Sequence, residues 1–375
     1  MKIRAAVLRA MGAAHPYAES RPLSIDEIEL APPGPGEVLV RVRAAGLCHS
    51  DLSVINGDRP RPLPMALGHE AAGVVESLGE GVDDLVVGDH VAMVFVPSCG
   101  HCPSCAEGRP ALCEPGAAAN GAGSLLSGAR RLKGADGAIH HHLGCSAFAD
   151  HATVSRRSLV KIDRDLPFDE AALFGCAVLT GVGAVVNTAR VQAGASVAVI
   201  GLGGVGLASL LGARVAGARE IVAIDLSPQK RELALALGAT RVFDGADSDC
   251  VEAVKAATGG GLDYVFEMAG SIRAFETAYR ITRRGGTTIT AGLPPPAATF
   301  GLPIVNLVAE ERTVKGSYIG TCVPSRDIPR YVALYRQGRL PVDRLMSGHL
   351  RLEQINEGFD RLHSGEAVRQ IVVMD

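Results

Sequence analysis

The stretch Ser196-Val-Ala-Val-Ile-Gly-Leu-Gly-Gly-Val-Gly206 decides the architecture of this chain. Its first half, Ser196–Ile200, is an unbroken apolar run that reads as a strand buried on both faces. Gly201, Gly203 and Gly206 follow in G-x-G-x-x-G spacing, with a helical pattern over Leu207–Ala216 behind them. The glycine pattern alone is weak, but a strand before it and a helix after it are the context it requires. In that context the glycines provide a tight turn, close approach of backbone N–H groups to a pyrophosphate, and close helix–strand packing. The helix N-terminus adds partial positive charge toward phosphates. Asp225 ends the next strand, where a carboxylate can accept both ribose hydroxyls of NAD and repels the extra phosphate of NADP; no Arg replaces it, although Lys230 and Arg231 lie close by. NAD is therefore the expected cofactor, with Gly201, Gly203, Gly204, Val205, Gly206, Asp225 and Lys230 as binding residues. The bland alternative is a glycine-rich turn that binds nothing.

Working outward, apolar runs alternate with helical patterns from about Ala195 to Ala291, which predicts a parallel, doubly wound sheet. Strands are expected at Ser196–Ile200, Glu220–Asp225, Thr240–Phe243, Asp263–Glu267 and Thr287–Ala291, with helices starting near Gly204, Pro228, Asp249 and Ile272. The first third differs. Short alternating segments, Lys2–Leu8, Val38–Ala44 and Ala71–Leu78, are separated by Pro/Gly turns and predict antiparallel, barrel-like or sandwich-like β structure. Beyond Gly320 the pattern gives helices at Ser325–Gln337 and Leu352–Ser364 and a closing strand at Arg369–Val373. Residues 115–148, rich in Gly and Ala and carrying the run His140-His141-His142, read as a long surface excursion, a solvated or pocket-edge loop.

At 375 residues the chain is long for one core, and two domains are expected. A hydrophobic content of 47%, a charged content of 21% and a net charge of −3 describe a globular protein without a basic field for nucleic acid or an acidic membrane. The absence of Trp and the six Tyr argue against base-stacking platforms. The apolar stretch from Val197 to Ala213 is interrupted by five glycines and is not read as a membrane span. The start, MKIRAAVLRA, has no signal-peptide pattern, and a reduced, cytoplasmic chain is expected.

Cys99, Cys102, Cys105 and Cys113 fall in C-x2-C-x2-C-x7-C spacing, four soft thiolates within one loop's reach. Such a set forms a closed tetrahedral shell for Zn²⁺, a structural site with no open position for catalysis. An iron–sulfur cluster is the rival reading; its usual run ends C-x3-C-P, whereas here the last gap is seven and a Glu follows. Three more residues, Cys48, His69 and Cys176, are candidate zinc ligands, but spacing alone does not unite them, and each reads equally as a buried small hydrophobe or a loop histidine. Their neighbours matter. His69 lies in Gly68-His69-Glu70, continuing as G-H-E-x2-G-x5-G-x2-V through Gly73, Gly79 and Val82; Cys48 lies in Gly46-Leu-Cys-His-Ser-Asp51, and Cys176 in Phe174-Gly-Cys-Ala-Val-Leu-Thr-Gly181.

Together, and in this order, the four-cysteine loop, the G-H-E signature and the glycine-rich unit resemble those of the zinc-dependent medium-chain alcohol dehydrogenases, in their long-loop, class I/III-like branch. The resemblance runs over essentially the whole chain. It implies an α/β protein: a GroES-like, β-rich catalytic domain (1–177, returning over 321–375) and a Rossmann NAD domain (178–320), with the active site in the cleft between them. It carries a catalytic zinc to Cys48, His69 and Cys176, an arrangement already well known for alcohol dehydrogenase. It places Glu70 behind that zinc and Asp51 on the distal nitrogen of His69. His49, Thr180 and Arg369 go to the coenzyme side, His49 and Arg369 as cations toward the pyrophosphate, and Leu293 lies at the apolar wall near the cofactor. The implied reaction is zinc-dependent, NAD-linked oxidation of primary aliphatic or aryl alcohols to aldehydes, and the reverse, by hydride transfer from a zinc-bound alkoxide. Ser50 would take the alcohol proton into a relay, helped by His49; many relatives end that relay on a histidine where this chain has Ser53.

Phe95 matches a ring lining the substrate channel, His142 stands where relatives often carry an aromatic, and Val96 reads as further apolar wall. A homodimer is expected through an edge strand near Thr313–Tyr318, with a small-molecule alcohol or aldehyde as the remaining partner. Three rivals stay open. A glutathione-dependent formaldehyde dehydrogenase would need a cation just after the cysteine loop, where Glu114–Asn120 has none. A zinc-free quinone or enoyl reductase of the same fold would lack the thiolate sets, and a zinc-ribbon binding module would need a basic or aromatic surface.

Overall fold

Strand Ser196–Ile200 is buried along its whole length, as its apolar run requires, and lies inside a six-stranded, wholly parallel sheet. The computed structural model describes residues 1–374, so Asp375, the last residue of the expected returning segment, lies outside the described residues. The sheet runs Arg241–Asp244, Glu220–Asp225, Ser196–Ile200, Leu262–Glu267, Thr282–Thr290 and Thr313–Gly316 from edge to edge. In chain order that is 3-2-1-4-5-6, the doubly wound arrangement whose ligands bind at the carboxyl ends of the strands where the order reverses. Here the reversal falls between Ser196–Ile200 and Leu262–Glu267, directly beside the glycine-rich turn.

Helices Gly204–Val215, Pro228–Leu237, Cys250–Thr258 and Ile272–Ile281 make the crossovers. Pro228–Leu237 shows why they start and stop where they do: the Ser227 hydroxyl accepts the Lys230 N–H at 3.3 Å, Pro228 occupies the first turn, and Gly238 ends the helix at φ +110°. On one face, Ala198, Ile200, Val222, Ile224 and Val265 pack against Val251, Val254, Ala278 and Ile281. Each Val or Ile among them contributes roughly 1.5–3 kcal/mol relative to exposure. This compact unit comprises Ala177–Cys322 with Ala333–Leu345.

The other unit comprises Met1–Cys176, Val323–Val332 and Met346–Asp375. Five strands, Lys2–Leu8, Leu23–Leu30, Leu132–Gly134, Gly137–His141 and Met65–Ala66, close into a barrel. A seven-stranded sheet runs Leu159–Ile162, His90–Met93, Ala71–Leu78, Glu37–Gly46, Gln370–Val373 and Gly348–Leu350, with His151–Ser155 also pairing to Glu37–Gly46. The α/β fold class expected from the sequence is present, and the β-rich first third is both barrel and open sheet. Among the described residues no helix is long and apolar enough to cross a membrane.

The reading of 115–148 as a surface excursion is overturned. Glu114–Ala122 is a helix, and the hairpin Leu132–Gly134/Gly137–His141 completes the barrel wall. The small residues that suggested a loop serve close packing: a Cβ on Gly116 would lie 2.0 Å from the Pro97 carbonyl oxygen. Leu132 and Ile139 enter the barrel core, and His141 and His142 are both only 1% exposed. Smaller shifts follow register. The strand expected from Thr287 begins at Thr282, whose hydroxyl bonds Ala278 O and Thr288 Oγ1, and a six-residue helix, Ile304–Ala309, was not anticipated.

His141 is buried as a neutral ring, its Nε2 accepting the Arg131 N–H at 3.0 Å, and burial lowers its pKa to about 4. The unfolded chain, with a histidine near 6.5, binds a proton that the folded chain refuses between those values. This contribution to stability is complete above about pH 6.5 and lost on acidification toward 4, amounting to about 3 kcal/mol for this one group. Urea unfolding of the His141→Leu protein is therefore expected to show a shallower loss of stability between pH 6.5 and 4 than the unaltered protein; parallel curves would refute the assignment.

Candidate functional site

Sheet register brings the distant cysteine and histidine motifs together. Ala45 pairs with Ala71 and Gly46 with Ile371, so the end of strand Glu37–Gly46 lies between the G-H-E segment and the closing strand. Gly46 N–H donates to Glu70 O at 2.7 Å and Leu47 N–H to Gln370 O at 2.9 Å. Gly46 must be glycine here, since a Cβ would sit 2.7 Å from Glu70 Oε1. Cys48 then starts the short helix His49–Ile55, and Cys176 follows the helix Phe168–Leu173.

The result is one buried cluster. Cys48, His69, Glu70 and Cys176 each present a donor atom, and all four atoms lie within 4.8 Å of one another. His69 and Glu70 are fully buried, and the two cysteines are at most 6% exposed. His69 Nδ1 bonds Asp51 Oδ1 at 3.1 Å, which turns Nε2 toward the thiols; Nε2 has no hydrogen-bond partner among the described residues, and neither oxygen of Glu70 has one. Arg369 lies 3.7 Å from Glu70 Oε2 and donates to Leu47 O at 2.7 Å.

Electrostatics describe a site built for a cation. The hydrogen bond from Cys176 holds the Cys48 thiol well below its ordinary pKa, helped by Arg369 and His69, while Cys176 is pushed well above. Burial raises Glu70 to about 7 against the pull of Arg369. Burial alone would depress His69, but Asp51 and the Cys48 sulfur outweigh it and raise the imidazole. Two sulfurs and an unpartnered imidazole nitrogen fit Zn²⁺ in chemistry and in reach, and a divalent ion would satisfy donors that are costly to bury unpaired.

The second cluster is the four-cysteine loop. Its sulfurs also lie within 4.8 Å of one another, and backbone N–H groups point at them: Cys99 N–H to Cys113 Sγ at 3.2 Å, Cys102 N–H to Cys99 Sγ at 3.3 Å and Gly116 N–H to Cys113 Sγ at 3.4 Å. The N–H groups of His101 and Cys102 lower Cys99 to about 6, whereas burial raises Cys105 to about 12.

Around His69, Phe95 stands edge-on at 5.3 Å between ring centroids, and Val96 is buried. His49 is exposed and Ser50 half-buried on the first turn of the helix, while the Ser53 hydroxyl donates to His49 O at 2.8 Å. His142, expected as pocket wall, approaches Asp51 instead, at 3.1 Å. The sequence offered no sign of this, because the His140–His142 run looked like a loop.

In the other unit, Gly201 has φ +86°, and a Cβ on Gly206 would lie 1.8 Å from Gly201 O. Asp225 clamps the turn: Oδ2 accepts Leu202 N–H at 2.6 Å and Oδ1 accepts Ser227 N–H at 2.8 Å. Gly203 caps the helix that carries Gly204 and Val205; Lys230 is half-buried, Thr180 buried and Leu293 51% exposed. Arg231 is engaged by Asp244 at 2.9 Å and by the carbonyls of Asp225 and Leu226.

Comparison with known proteins assigns the class. Residues 34–164 match the alcohol dehydrogenase GroES-like domain and residues 204–337 the zinc-binding dehydrogenase domain. The chain belongs to the zinc-dependent medium-chain alcohol dehydrogenase family. It is 39% identical to the class-3 alcohol dehydrogenase of Drosophila melanogaster over 96% of each chain, and 36% identical to the S-(hydroxymethyl)glutathione dehydrogenase of Paracoccus denitrificans over the whole of both. The crystal structure of benzyl alcohol dehydrogenase from Acinetobacter calcoaceticus superposes with a TM-score of 0.93 at 32% identity, covering all of both chains. The protein is accordingly an oxidoreductase of small molecules, with zinc and a nicotinamide cofactor.

Replacing Cys113 by Ser is expected to remove one zinc per chain, measured by atomic emission on protein purified without added metal, and to lower the thermal midpoint. Unchanged zinc content would exclude the loop as a metal site.

Proposed function

We propose that this protein interconverts primary aliphatic or aryl alcohols and their aldehydes, with NAD as hydride carrier and two zinc ions per chain, one catalytic and one structural. The observation that carries the reading is the buried Cys48–His69–Cys176 cluster with His69 Nε2 unpartnered. Three protein ligands leave a tetrahedral ion one open position. Zinc bound there supplies Lewis acidity toward the substrate oxygen.

The chain's own residues do the rest. Asp51 fixes the tautomer and direction of His69. Glu70 and Arg369 form a buried ion pair behind the donor set, tempering the charge the thiolates bring; Arg369 and Thr180 are further assigned to the coenzyme. Ser50, two residues from Cys48, takes the alcohol proton as a conduit, having no basicity of its own, and His49 at the exposed helix start passes it toward water. Phe95 and Val96 form apolar wall beside His69. Cys99, Cys102, Cys105 and Cys113 hold the structural ion.

Cofactor choice rests on Asp225. Its carboxylate repels a ribose phosphate, and Arg231, the cation best placed to offset that, is already held by Asp244. Residues 1–177 and 321–375 are assigned to catalysis and 178–320 to NAD, although Ala333–Leu345 of the returning part packs with the parallel-sheet unit. Strand Thr313–Gly316 pairs on one side only, with Thr282–Thr290, and is an exposed sheet edge that supports a homodimer through the Thr313–Tyr318 region. Nine free cysteines suit a reducing, cytoplasmic location.

Initial rates with NAD and NADP across aliphatic, aryl and polyol alcohols and S-(hydroxymethyl)glutathione test this. NAD-supported oxidation of primary alcohols is expected, with kcat falling about 10²-fold in Ser50→Ala. Failure to oxidise any alcohol at full zinc content would sink the reading; selective use of the glutathione adduct would move the substrate assignment to that class. Asp225→Ser is expected to raise kcat/KM with NADP while lowering it with NAD, and an unchanged ratio would remove Asp225 from cofactor selection.

A further inference from the structure

Helix Glu114–Ala122, which follows the cysteine loop, carries no cation of its own, but one reaches it from another segment. Arg61 Nη1 donates to Asn120 O at 3.5 Å, its one hydrogen bond among the described residues. That contact is long, and it occupies one of the five N–H donors of a half-buried guanidinium. Arg61 also has no ion-pair partner among the described residues. Asp58, the one carboxylate of the Gly57–Pro64 segment, is exposed and takes the Asn56 amide at 2.8 Å instead. Capping the helix does not account for Arg61. Gly123 closes that end in the left-handed conformation, its N–H reaching Asn120 O, and Ser124 N–H reaches Ala119 O at 3.0 Å.

The loop that carries Arg61 is stiff and anchored beside the metal cluster. Pro60 and Pro62 flank Arg61, which restricts their own φ and holds the residue before Pro62 extended. Arg59 N–H donates to Ser53 O at 2.8 Å, on the helix that starts after Cys48. His140 N–H donates to Pro64 O at 2.8 Å, and strand Met65–Ala66 then leads through Leu67 and Gly68 to His69. On the far side of Arg61, Asn120 is buried and its Nδ2 donates to Phe95 O at 2.8 Å, while the Phe95 ring stands edge-on to His69. Burial is the main cause that lowers the pKa of His142, and the Arg61 charge acts in the same direction, so that charge is felt at a ring beside His69. A cation without a counter-charge thus stands on the Phe95 side of the cluster. Its planar, largely unengaged fork of donors matches the two oxygens of a carboxylate.

We propose that Arg61 is a specificity-determining residue that binds a carboxylate carried by the substrate, so that the preferred substrates are primary alcohols and aldehydes with an anionic group remote from the reacting carbon. This names a substrate class for the dehydrogenase reading above and rests on it. A neutral alcohol leaves the guanidinium to water, whereas a carboxylate exchanges that water for a charge-assisted pair. Small hydroxy acids and the glutathione adduct share this chemistry, and Arg61 supplies to helix Glu114–Ala122 the cation that its own sequence lacks.

The test compares kcat/KM with NAD, on full-length protein of known zinc content, for benzyl alcohol against para-(hydroxymethyl)benzoate, for hexanol against ω-hydroxyhexanoate, and for S-(hydroxymethyl)glutathione. A carboxylated substrate is expected to exceed the neutral alcohols by about 10-fold, the lower end of what a charge-assisted hydrogen bond supplies, since the guanidinium is only half-buried. The gain should appear in KM rather than kcat. Arg61→Gln is expected to remove most of the preference, Arg61→Lys to keep part of it, and Arg61→Glu to turn it toward the neutral alcohols. Calorimetric titration with the preferred carboxylated substrate, without NAD, should show weaker binding to Arg61→Gln by a similar factor. Preference for the glutathione adduct over both hydroxy acids, lost in Arg61→Gln, supports the proposal and identifies the adduct as the source of the carboxylate. Equal or better use of the neutral alcohols by the unaltered protein overturns it, as does a carboxylate preference that survives Arg61→Gln. A purely structural Arg61 would instead lower the thermal midpoint and raise KM for neutral and charged alcohols alike, which also overturns it. Failure to oxidise any alcohol at full zinc content is a different result: it sinks the dehydrogenase reading, and this proposal with it.

Discussion

Buried donors that cannot all be satisfied by protons are the constraint around which the first unit is organised. Two thiols, an imidazole nitrogen and a carboxylate occupy a space a few ångströms across with almost no access to solvent. Among the described residues His69 Nε2 and both oxygens of Glu70 are left without a hydrogen-bond partner. Burying such groups unpaired costs several kcal/mol each, and the cation we propose for the cluster would offset that cost. Much local geometry follows from this. Gly46 and Gly68 are small because neighbouring polar groups and backbone approach too closely for a Cβ.

Two carboxylates serve that receptacle from different surroundings. Asp51 remains ionised because His69 and His142 face it and outweigh the effect of burial. Glu70 has Arg369 as its main counter-charge, at 3.7 Å, and burial brings it to about 7. The first therefore acts through an imidazole, and the second balances charge next to the sulfurs. The Asp51 bond to Nδ1 is what gives His69 a defined tautomer, with Nε2 facing the sulfurs.

The second unit obeys a simpler rule. A central strand with both faces covered forces its ligand to the strand ends, and the reversal of strand order opens a crevice there. Gly201 and Gly206 let the turn fold tightly enough to present N–H groups, and Asp225 braces that turn with both oxygens. A residue read from the sequence as a sugar contact is a structural brace in the fold, so its replacement acts on the turn.

Local patterns were readable because their physics is local. The strand–glycine–helix unit, the four cysteines of one loop and the capped helix at Pro228 carry their conformational requirements within a few residues. The sequence also allowed the resemblance that grouped Cys48, His69 and Cys176, though their spacing could not. What joins them in space is register: Ala45 against Ala71 and Gly46 against Ile371 set residues from three distant segments side by side. Residues 115–148 show the opposite failure, where small residues imitated a loop but were needed for close packing and barrel closure. Nor could the placement of His142 on Asp51, or of Arg369 on Glu70, be read in advance. Such pairings are made between segments far apart in the chain, and only the closed barrel and the paired strands determine which buried charges meet.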